Sequence, residues 1–484
     1  MQAANPASAD EKLNLRVIGH AIDAMPTTRN LLTVVIIAAL ASFFDNMDSK
    51  LLGNALPSLA KEFSMTSATM GWVTSSTMWG MTAGSFIWGW IADKWGRRIA
   101  FTLTVLMFSV FSGLTAVSFS VWILLVIRFL TGVGLGGAIP VDAAILAEFA
   151  PARIRGFCGA SLPIAFPVGT FLASLLGLLI VPNHGWRGLF LVGVVPALLV
   201  AWVRRGVPES PRWLGNRGRF AECRQALNHL GITDEALEHS RLAVANEPAP
   251  PKLPKPLFRD LFTPELWRRT IHTWIIWGMP LMSSWGMTYF MPTFFIKLHG
   301  STLPEALTYN VYISLVAIAG RGTVFFLLDR IGRKPFTILG YGGAATFLFT
   351  MLAIHHNALY FFYVACAYMY FMEMGMCAIT PYTPEVFPVH IRVLGSSTAM
   401  GIGRIGGAVG PLMIGILMGR GHVSWIWVML GSGCLIAVLA TIWLGIETRG
   451  RNLEQLNQAA TDAAFAKARE RGELVDRSQT TAAK

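Results

Sequence analysis

The sequence predicts an all-α polytopic membrane protein with twelve transmembrane helices in two pseudo-symmetric six-helix halves. Three observations predict it. First, the 484 residues are 54% hydrophobic and only 14% charged, with a mean hydropathy of +0.52, whereas a soluble domain carries about 25% charged residues. Second, apolar runs of about 20 residues recur along the chain, which is the length needed to cross a bilayer. Third, motifs in the first six runs reappear in the last six.

The apolar runs form two groups of six, separated by a polar stretch. In lipid such a run satisfies its backbone hydrogen bonds as a helix, and the period-two alternation of a membrane barrel is absent. We therefore predict spans near residues 31–57, 70–92, 99–118, 122–147, 158–181, 187–203, 270–295, 308–328, 335–354, 359–383, 394–418 and 423–446.

The spans divide the chain into five parts. The polar stretch predicts short amphipathic helices near 217–230 and 234–245, followed by a proline-rich linker at 248–256. No cleavable signal peptide is evident, because the first apolar run is too long for one. The predicted parts are an N-terminal tail 1–30, a six-helix half 31–203, a linker 204–269, a second half 270–446 and a C-terminal tail 447–484.

The basic residues predict the orientation. The two tails and the loops on their side of the membrane hold 31 Lys and Arg, whereas the opposite loops hold only Lys61, Arg187, Lys297 and Arg420. By the positive-inside rule both termini are cytoplasmic, in a plasma membrane such as the bacterial inner membrane. The net charge of +12 then faces an anionic inner leaflet and does not indicate nucleic acid. Nothing in the sequence indicates an oligomer, so we expect a monomer.

An internal duplication supports the two halves. GSFIWGWIADKWGRR at 84–98 and GRGTVFFLLDRIGRK at 320–334 align at an offset of 236, and EFAPARIRG at 148–156 aligns with EVFPVHIRVLG at 385–395 at an offset of 237. Two parallel six-helix halves are a transporter architecture, which places the substrate near the membrane midplane between them.

The same motifs resemble the major facilitator superfamily. GWIADKWGRR resembles its G-x-x-x-[DN]-R/K-x-G-R-[RK] loop between helices two and three, and RFLTGVGLGG at 128–137 resembles its fourth-helix motif. PESPRWL at 208–214 and ETRGRNLEQL at 447–456 resemble the segments after helices six and twelve in sugar porters and related metabolite carriers. The resemblance implies a secondary active transporter that works by alternating access.

The first and seventh spans indicate which branch of that superfamily the chain resembles. The seventh span, at 273–295, lacks the Gln pair and the Asn that sugar porters place there. FFDNMDSKLLGNALPSL at 43–59 resembles the aromatic-acid and nicotinate proton symporters, which carry acidic residues in the first helix. The resemblance implies proton-coupled import of a small organic anion, an aromatic or other carboxylate. A proton-coupled sugar or polyol symporter and a transporter-like nutrient sensor are the alternatives.

Several charged residues lie inside predicted spans, where a charge costs at least about 2.5–3.5 kcal/mol and usually serves a function. Asp45 and Asp48 are three residues apart on one helical face, so each disfavours ionisation of the other. In the fold that the resemblance implies, Arg128 is within reach of them. We assign Asp45, Asp48 and Arg128 to proton coupling; the alternative is a static ion pair between helices one and four. The roles of Lys50 and Asp142 stay open.

The second half supplies the predicted substrate contacts. Arg321 and Arg404 lie within spans where related organic-anion carriers also place basic residues, and a guanidinium binds a carboxylate in a bidentate manner. Glu373 would neutralise one of them; the alternative is a purely structural Arg404–Glu373 pair. Trp285 and Tyr289, four residues apart on the seventh helix, would provide aromatic contacts.

The repeated loops predict a gate. Charged networks there would hold the halves in one state, although each exposed pair contributes only about 0–1 kcal/mol. The alternative is that these charges only anchor helices at the headgroups. The gating residues are Asp93, Arg97, Arg98, Glu148 and Arg155 in the first half and Asp329, Arg333, Glu385 and Arg392 in the second.

Other functional classes are disfavoured. The phosphate-binding pattern G-x-x-x-x-G-K-[ST] is absent, and no histidine falls in an H-E-x-x-H motif. We therefore expect no enzyme activity, no metal site and no cofactor. The expected partners are a small organic anion, protons and the lipid bilayer.

Overall fold

The structure is a computed structural model, and it describes residues 14–245, 256–354, 357–451 and 453–470. All regular elements in these ranges are helical. The helices up to the linker are α1 Leu15–Ala24, α2 Arg29–Glu62, α3 Ser67–Trp95, α4 Arg97–Thr115, α5 Val121–Phe149, α6 Ala152–Val192, α7 Ala197–Gly206, α8 Pro211–Asn216, α9 Phe220–His229 and α10 Asp234–Ala245. A 3₁₀ helix at Phe258–Phe262 precedes α11 Trp267–His299, α12 Leu303–Ile331, α13 Arg333–Ile354, α14 Ala358–Glu385, α15 Arg392–Gly419, α16 Val423–Leu444 and α17 Leu453–Glu470.

The helices confirm the predicted all-α membrane fold of twelve spans. Nine helical stretches among the described residues are long and apolar enough to cross a membrane, and one of these stretches, Ala165–Val203, combines α6 and α7. The helices α3 and α11 have 29 and 33 residues, which is also sufficient length, but they are less apolar. Most helices extend beyond the predicted apolar runs because their ends are polar.

The sixth span is not the continuous helix that the apolar run at 187–203 predicts. The helix α6 contains a break at Gly185, whose φ of +69° is available to glycine without strain. A turn at 193–196 then separates α6 from α7. Pro196 explains this interruption, because proline has no N–H to continue the helical hydrogen bonds and is well placed only in a first turn.

The N-terminal region holds a helix that the sequence did not predict, since residues 1–30 were expected to form a tail. The helix α1 is amphipathic and buries Val17, Ile18 and Ile22. It packs against α8 and α10 of the linker. Asn14 caps it by accepting hydrogen bonds from the backbone N–H groups of Arg16 and Val17 at 3.1 and 3.0 Å.

The linker follows the prediction more closely. The helices α9 and α10 correspond to the expected amphipathic helices, and α8 is an additional short one. Most of the proline-rich segment at 248–256 lies outside the described residues. The helix α17 in the C-terminal tail was also not predicted.

The chain forms two compact units. One comprises residues 1–65 and 76–248, and the other comprises residues 66–75 and 249–484. In the first unit α2 packs along α6 and α4 along α5, and in the second α11 packs along α15 and α13 along α14. These four helix pairs have the largest interfaces in the described structure.

Glycines permit the closest of these helix contacts. A Cβ added to Gly132 of α5 would collide with the carbonyl oxygen of Thr77 in α3. A Cβ added to Gly406 of α15 would collide with the carbonyl oxygen of Gly278 in α11. Small residues at such positions let membrane helices approach backbone to backbone.

Candidate functional site

A buried polar face of α2 forms the centre of the first unit. Ser42, Asp45 and Asp48 follow one another at intervals of three residues, which places them on one side of the helix. Asp45 is 2% exposed, and Ser42 and Asp48 are fully buried. We call these three residues, together with Arg128 and Asp142 of α5, the first-half cluster.

Asp48 and Arg128 meet within this cluster, as the sequence predicted. Arg128 Nη1 lies 3.8 Å from Asp48 Oδ2, and both side chains are 0% exposed. Asp48 Oδ1 also accepts a hydrogen bond from Ser112 of α4. Two charges removed from water in this way are stabilised by each other and by the hydroxyl that completes the site.

Additional contacts fix the guanidinium of Arg128. Its Nη2 donates to Thr115 Oγ1 at 2.6 Å and to Thr131 Oγ1 at 3.0 Å. Its carbon Cζ lies 4.7 Å from the ring centroid of Phe190, a cation–π distance. Arg128 therefore has a defined orientation that does not depend on Asp48 alone.

Asp142, whose role the sequence left open, joins the same cluster. It is fully buried and accepts a hydrogen bond from Ser42 of α2. Its charge interacts with that of Asp45. The cluster thus contains two carboxylates on one face of α2 and a third on α5, with Arg128 beside Asp48.

The second unit contains a different ion pair. Arg321 of α12 places Nε 2.5 Å from Oε2 of Glu373 in α14, with side chains 19% and 14% exposed. Glu373 therefore pairs with Arg321. Arg404 is half-buried in α15.

Hydroxyl pairs link α14 to neighbouring helices of this unit. Thr323 and Tyr370 share a hydrogen bond at 2.7 Å, and Ser283 and Tyr368 share one at 2.9 Å. The thiol of Cys377 lies within electrostatic range of both members of the Arg321–Glu373 pair.

The two aromatic residues proposed from the sequence lie together on α11. The ring centroids of Trp285 and Tyr289 are 5.5 Å apart with an interplanar angle of 37°. Tyr289 is fully buried, whereas Trp285 is partly exposed beside Gly407 of α15. Of the two rings, Trp285 is the one that retains an accessible surface.

The structure contains a buried histidine that the sequence analysis did not name as a site residue. His272 of α11 is 1% exposed. Its ring nitrogens lie 3.2 Å from Thr441 Oγ1 and 3.4 Å from the hydroxyl of Tyr382. No local signal distinguishes it, because it lies in the first two turns of a helix whose end the sequence placed only approximately.

The charged loops form one compact cluster in each unit. In the first loop cluster Arg97 donates from Nη1 to Asp93 at 2.7 Å and from Nε to Glu148 at 3.0 Å. In the second loop cluster Arg333 lies 2.8 Å from Asp329 and 3.3 Å from Glu385. The structure therefore brings these predicted residues together in pairs that repeat between the units.

The remaining predicted gating residues are Arg392, Arg155 and Arg98. Arg392 donates from Nε to the carbonyl of Phe387 at 3.4 Å, so the described contacts of the second cluster do not include it. The side chain of Arg155 lies outside the described residues. Arg98 contributes its backbone N–H, which lies 3.2 Å from Glu209.

Glu209, in the PESPRWL segment, was not predicted as a site residue. Its Oε1 accepts hydrogen bonds from the backbone N–H groups of Arg97 at 2.7 Å and Ser210 at 2.9 Å, and so caps the start of α4. Burial raises the pKa of this carboxyl, and the backbone donors oppose that shift. Glu447 caps α13 in the same way, with 3.0 Å to the N–H groups of both Arg333 and Lys334. The similarity of the two segments in sequence was the signal for this shared role.

Among the described residues, no group of three or more His, Cys, Asp or Glu side chains is placed to hold a metal ion. All five cysteines are free thiols.

A known protein family matches most of this chain. The profile of the sugar (and other) transporter family matches residues 34–460. The chain belongs to this family. It is a major facilitator superfamily transporter related to the sugar porters, which makes it an integral membrane protein and a secondary transporter.

Among similar proteins is the niacin transporter NiaP of Acinetobacter baylyi, 29% identical over 441 residues that cover 90% of this chain and 98% of the relative. The putative niacin/nicotinamide transporter NiaP of Bacillus subtilis is 28% identical and covers 86% of this chain and 96% of its own. The xylose transporter XylE from E. coli, solved in an inward-open conformation, superimposes with a TM-score of 0.70 at 18% identity over 89% of this chain and 99% of its own. The last comparison concerns the fold alone.

Proposed function

We propose that this transporter imports a small organic anion, an aromatic or other carboxylate, together with protons by alternating access. The observation that carries the proposal is the buried carboxylate cluster on α2 beside Arg128. Carboxylates at mid-membrane are costly unless they are paired or protonated, so they are usually retained for ion or proton movement. Asp45, Asp48 and Arg128 are the proposed proton-coupling group.

A proton site in the first-half cluster requires that the Asp48–Arg128 pair can open. The 3.8 Å separation is longer than a close hydrogen-bonded ion pair, and Thr115 and Thr131 hold the guanidinium independently of Asp48. Protonation of Asp48 would remove its attraction to Arg128 while Ser112 keeps a hydrogen bond to the carboxyl. Arg128 would in turn keep its two threonine acceptors and its contact with the Phe190 ring.

The proposed anion site lies in the second unit. Arg321 and Arg404 would bind the substrate carboxylate, Glu373 would modulate the first of them, and Trp285 would contact an apolar or aromatic body. The relatives named as niacin transporters support this class of substrate, since niacin is an aromatic monocarboxylate at neutral pH. The seventh span lacks the side-chain amides that a sugar site would use, which disfavours a sugar or polyol.

Proton coupling has an energetic reason. In a plasma membrane with both termini cytoplasmic, as we propose, an anion alone would enter against the negative-inside potential, at about 2.3 kcal/mol per charge per 100 mV. One co-transported proton removes this opposition, and a second would make the potential favour import. The loop clusters would set the balance between the two access states.

Uptake into proteoliposomes tests the proposal. Purified protein should accumulate radiolabelled nicotinate or benzoate when the outside is acidic, and a protonophore should abolish the accumulation. Accumulation of xylose but of neither acid would instead establish the sugar alternative. Binding of an acid without any accumulation would establish the sensor alternative.

A further inference from the structure

The Arg321–Glu373 pair has the chemistry of an occupied anion site. Its guanidinium engages a carboxylate through Nε at 2.5 Å, with part of both side chains exposed. We propose that Glu373 is an internal stand-in for the substrate carboxylate: the anion replaces it at Arg321 while Glu373 takes up a proton. This inference rests on the proposed anion transport and adds a second proton site in the other half of the protein.

The carboxylates of Glu373 and of the substrate would compete for Arg321 because they have the same shape. Arginine presents a planar set of donors that matches one carboxylate in a bidentate manner. The carboxylate of Glu373 and that of a substrate have the same geometry, so they compete for the Nε edge of Arg321. Both side chains keep some accessible surface, 19% and 14%, so a second carboxylate would not have to enter a fully closed site.

The Arg321–Glu373 pair lies deep in the membrane-spanning helices, so loss of either partner would be costly. Arg321 lies about 15 Å from the end of α12 at Ile331, and Glu373 lies about 18 Å from the end of α14 at Glu385, at 1.5 Å per residue. Both side chains are therefore far from either helix end. A carboxylate that lost its cation at this depth would be strongly destabilised in its charged form.

Uptake of one proton by Glu373 removes that cost and keeps the total charge of the site unchanged. Before the exchange, Arg321 and Glu373 together are neutral, and the entering anion and proton also sum to zero. After the exchange, Arg321 pairs with the anion and Glu373 is a neutral carboxylic acid. The number of charges in this region is unchanged, so binding of the anion and binding of the proton favour each other.

The groups around Glu373 come from its own helix and from its neighbours in the second unit. Among the described residues, Tyr341 of α13 and Tyr368 and Cys377 of its own helix lie in electrostatic range of it. Arg321 of α12 is the cation among these groups. The helix α15, which also packs against α14, carries the half-buried Arg404.

Proton-linked calorimetry tests the exchange. Nicotinate is titrated into the purified full-length protein in buffers of different ionisation enthalpy, which counts the protons taken up per anion. Glu373→Gln should bind nicotinate at least as tightly as the wild type and take up about one proton fewer. Wild-type affinity should fall as pH rises, by up to about tenfold per pH unit for one linked proton, and Glu373→Gln should lose that component.

Two further variants keep the result interpretable. Glu265→Gln, at an exposed carboxyl before α11, should behave as the wild type. Glu373→Asp keeps a titratable carboxyl and should retain the full proton count, which guards against misfolding of the glutamine variant.

An unchanged proton count and pH slope in Glu373→Gln would overturn this inference while leaving the proposed anion transport in place. If the wild type binds neither nicotinate nor benzoate, the inference and the proposed substrate class fail together.

Discussion

The two halves hold their intramembrane charges in different ways. Asp48 and Arg128 in the first half are 0% exposed and 3.8 Å apart, with hydroxyl groups completing the site. Arg321 and Glu373 in the second half are 2.5 Å apart and partly exposed. A sealed site suits a particle as small as a proton, whereas an open site can exchange one carboxylate for another. Our proposal assigns proton coupling to the first of these sites and anion binding to the second.

At the loops, by contrast, the halves are nearly alike. Arg97 and Arg333 each pair with an Asp four residues earlier, at 2.7 and 2.8 Å, and with a Glu from the neighbouring loop. At the offsets of 236 and 237 that align these loops, Arg321 and Glu373 correspond to Ser85 and Gly136. The duplication therefore preserved the loop clusters and not the charges at mid-membrane.

The largest expected effect is loss of coupling in the first half. Asp48→Asn should abolish accumulation against a gradient, because a neutral amide cannot carry the proton, while exchange of labelled for unlabelled substrate continues. Asp45→Asn should do the same. The measurement is proteoliposome uptake with and without a pH gradient. If both variants accumulate substrate normally, the first-half cluster does not couple transport.

Removal of Arg128 should be the largest effect on stability. Arg128→Leu leaves the buried Asp48 without its cation, which typically costs about 3–5 kcal/mol. Thermal unfolding in detergent should show a marked decrease in Tm. The double variant Asp48→Asn with Arg128→Leu should recover much of it, since Asp48 is then no longer a buried charge that has lost its cation. A double variant no more stable than Arg128→Leu alone would contradict this account.

In the second half the main effect should be on binding. Arg321→Ala and Arg404→Ala should each weaken acid binding by about 10- to 100-fold, as expected for loss of hydrogen bonds to a charged group worth about 1.5–3 kcal/mol. The Lys variants should restore little, because the bidentate geometry is lost. Calorimetry with nicotinate gives the affinities, and Arg420→Ala at an exposed loop serves as control. Normal acid binding by both Ala variants would rule out the proposed anion site.

A smaller effect is expected at the first loop cluster. Asp93 is 75% exposed, so its pair with Arg97 contributes about 0–1 kcal/mol. Asp93→Ala should slow transport more than it weakens binding, because a gate changes the balance of states. Labelling of single cysteines introduced on either side of the membrane reports that balance. Unchanged labelling with altered affinity would argue that Asp93 does not gate.

The smallest effect concerns the pH dependence of stability at Glu209. Because burial raises the pKa of this carboxyl, its stabilising contribution is present below its ordinary pKa and is lost as pH rises through the raised value. The Tm of the wild type minus that of Glu209→Gln should therefore decrease from about pH 4 towards neutrality. An increase over that range would mean that the backbone donors outweigh burial.

Much of this protein could be predicted from its sequence. A run of about 20 apolar residues has one stable form in lipid, so the helices and their number follow directly. The internal repeat predicted that the loop contacts of one half recur in the other, because identical local spacing on homologous helices produces the same contacts, but it did not predict the place of Arg392. The Asp48–Arg128 pair was accessible through the resemblance of two helices to a known family.

Tertiary structure decided the rest. Whether Glu373 pairs with Arg321 or with Arg404 depends on how α12, α14 and α15 are rotated about their axes, and a uniformly apolar helix carries no periodic signal for rotation. For the same reason, the sequence did not show that Asp142 lies beside Ser42. The helix α1 was missed because its stability comes from packing against α8 and α10, and short isolated helices are marginal in water. Composition determined where the chain crosses the membrane, and only packing determined which buried charges meet.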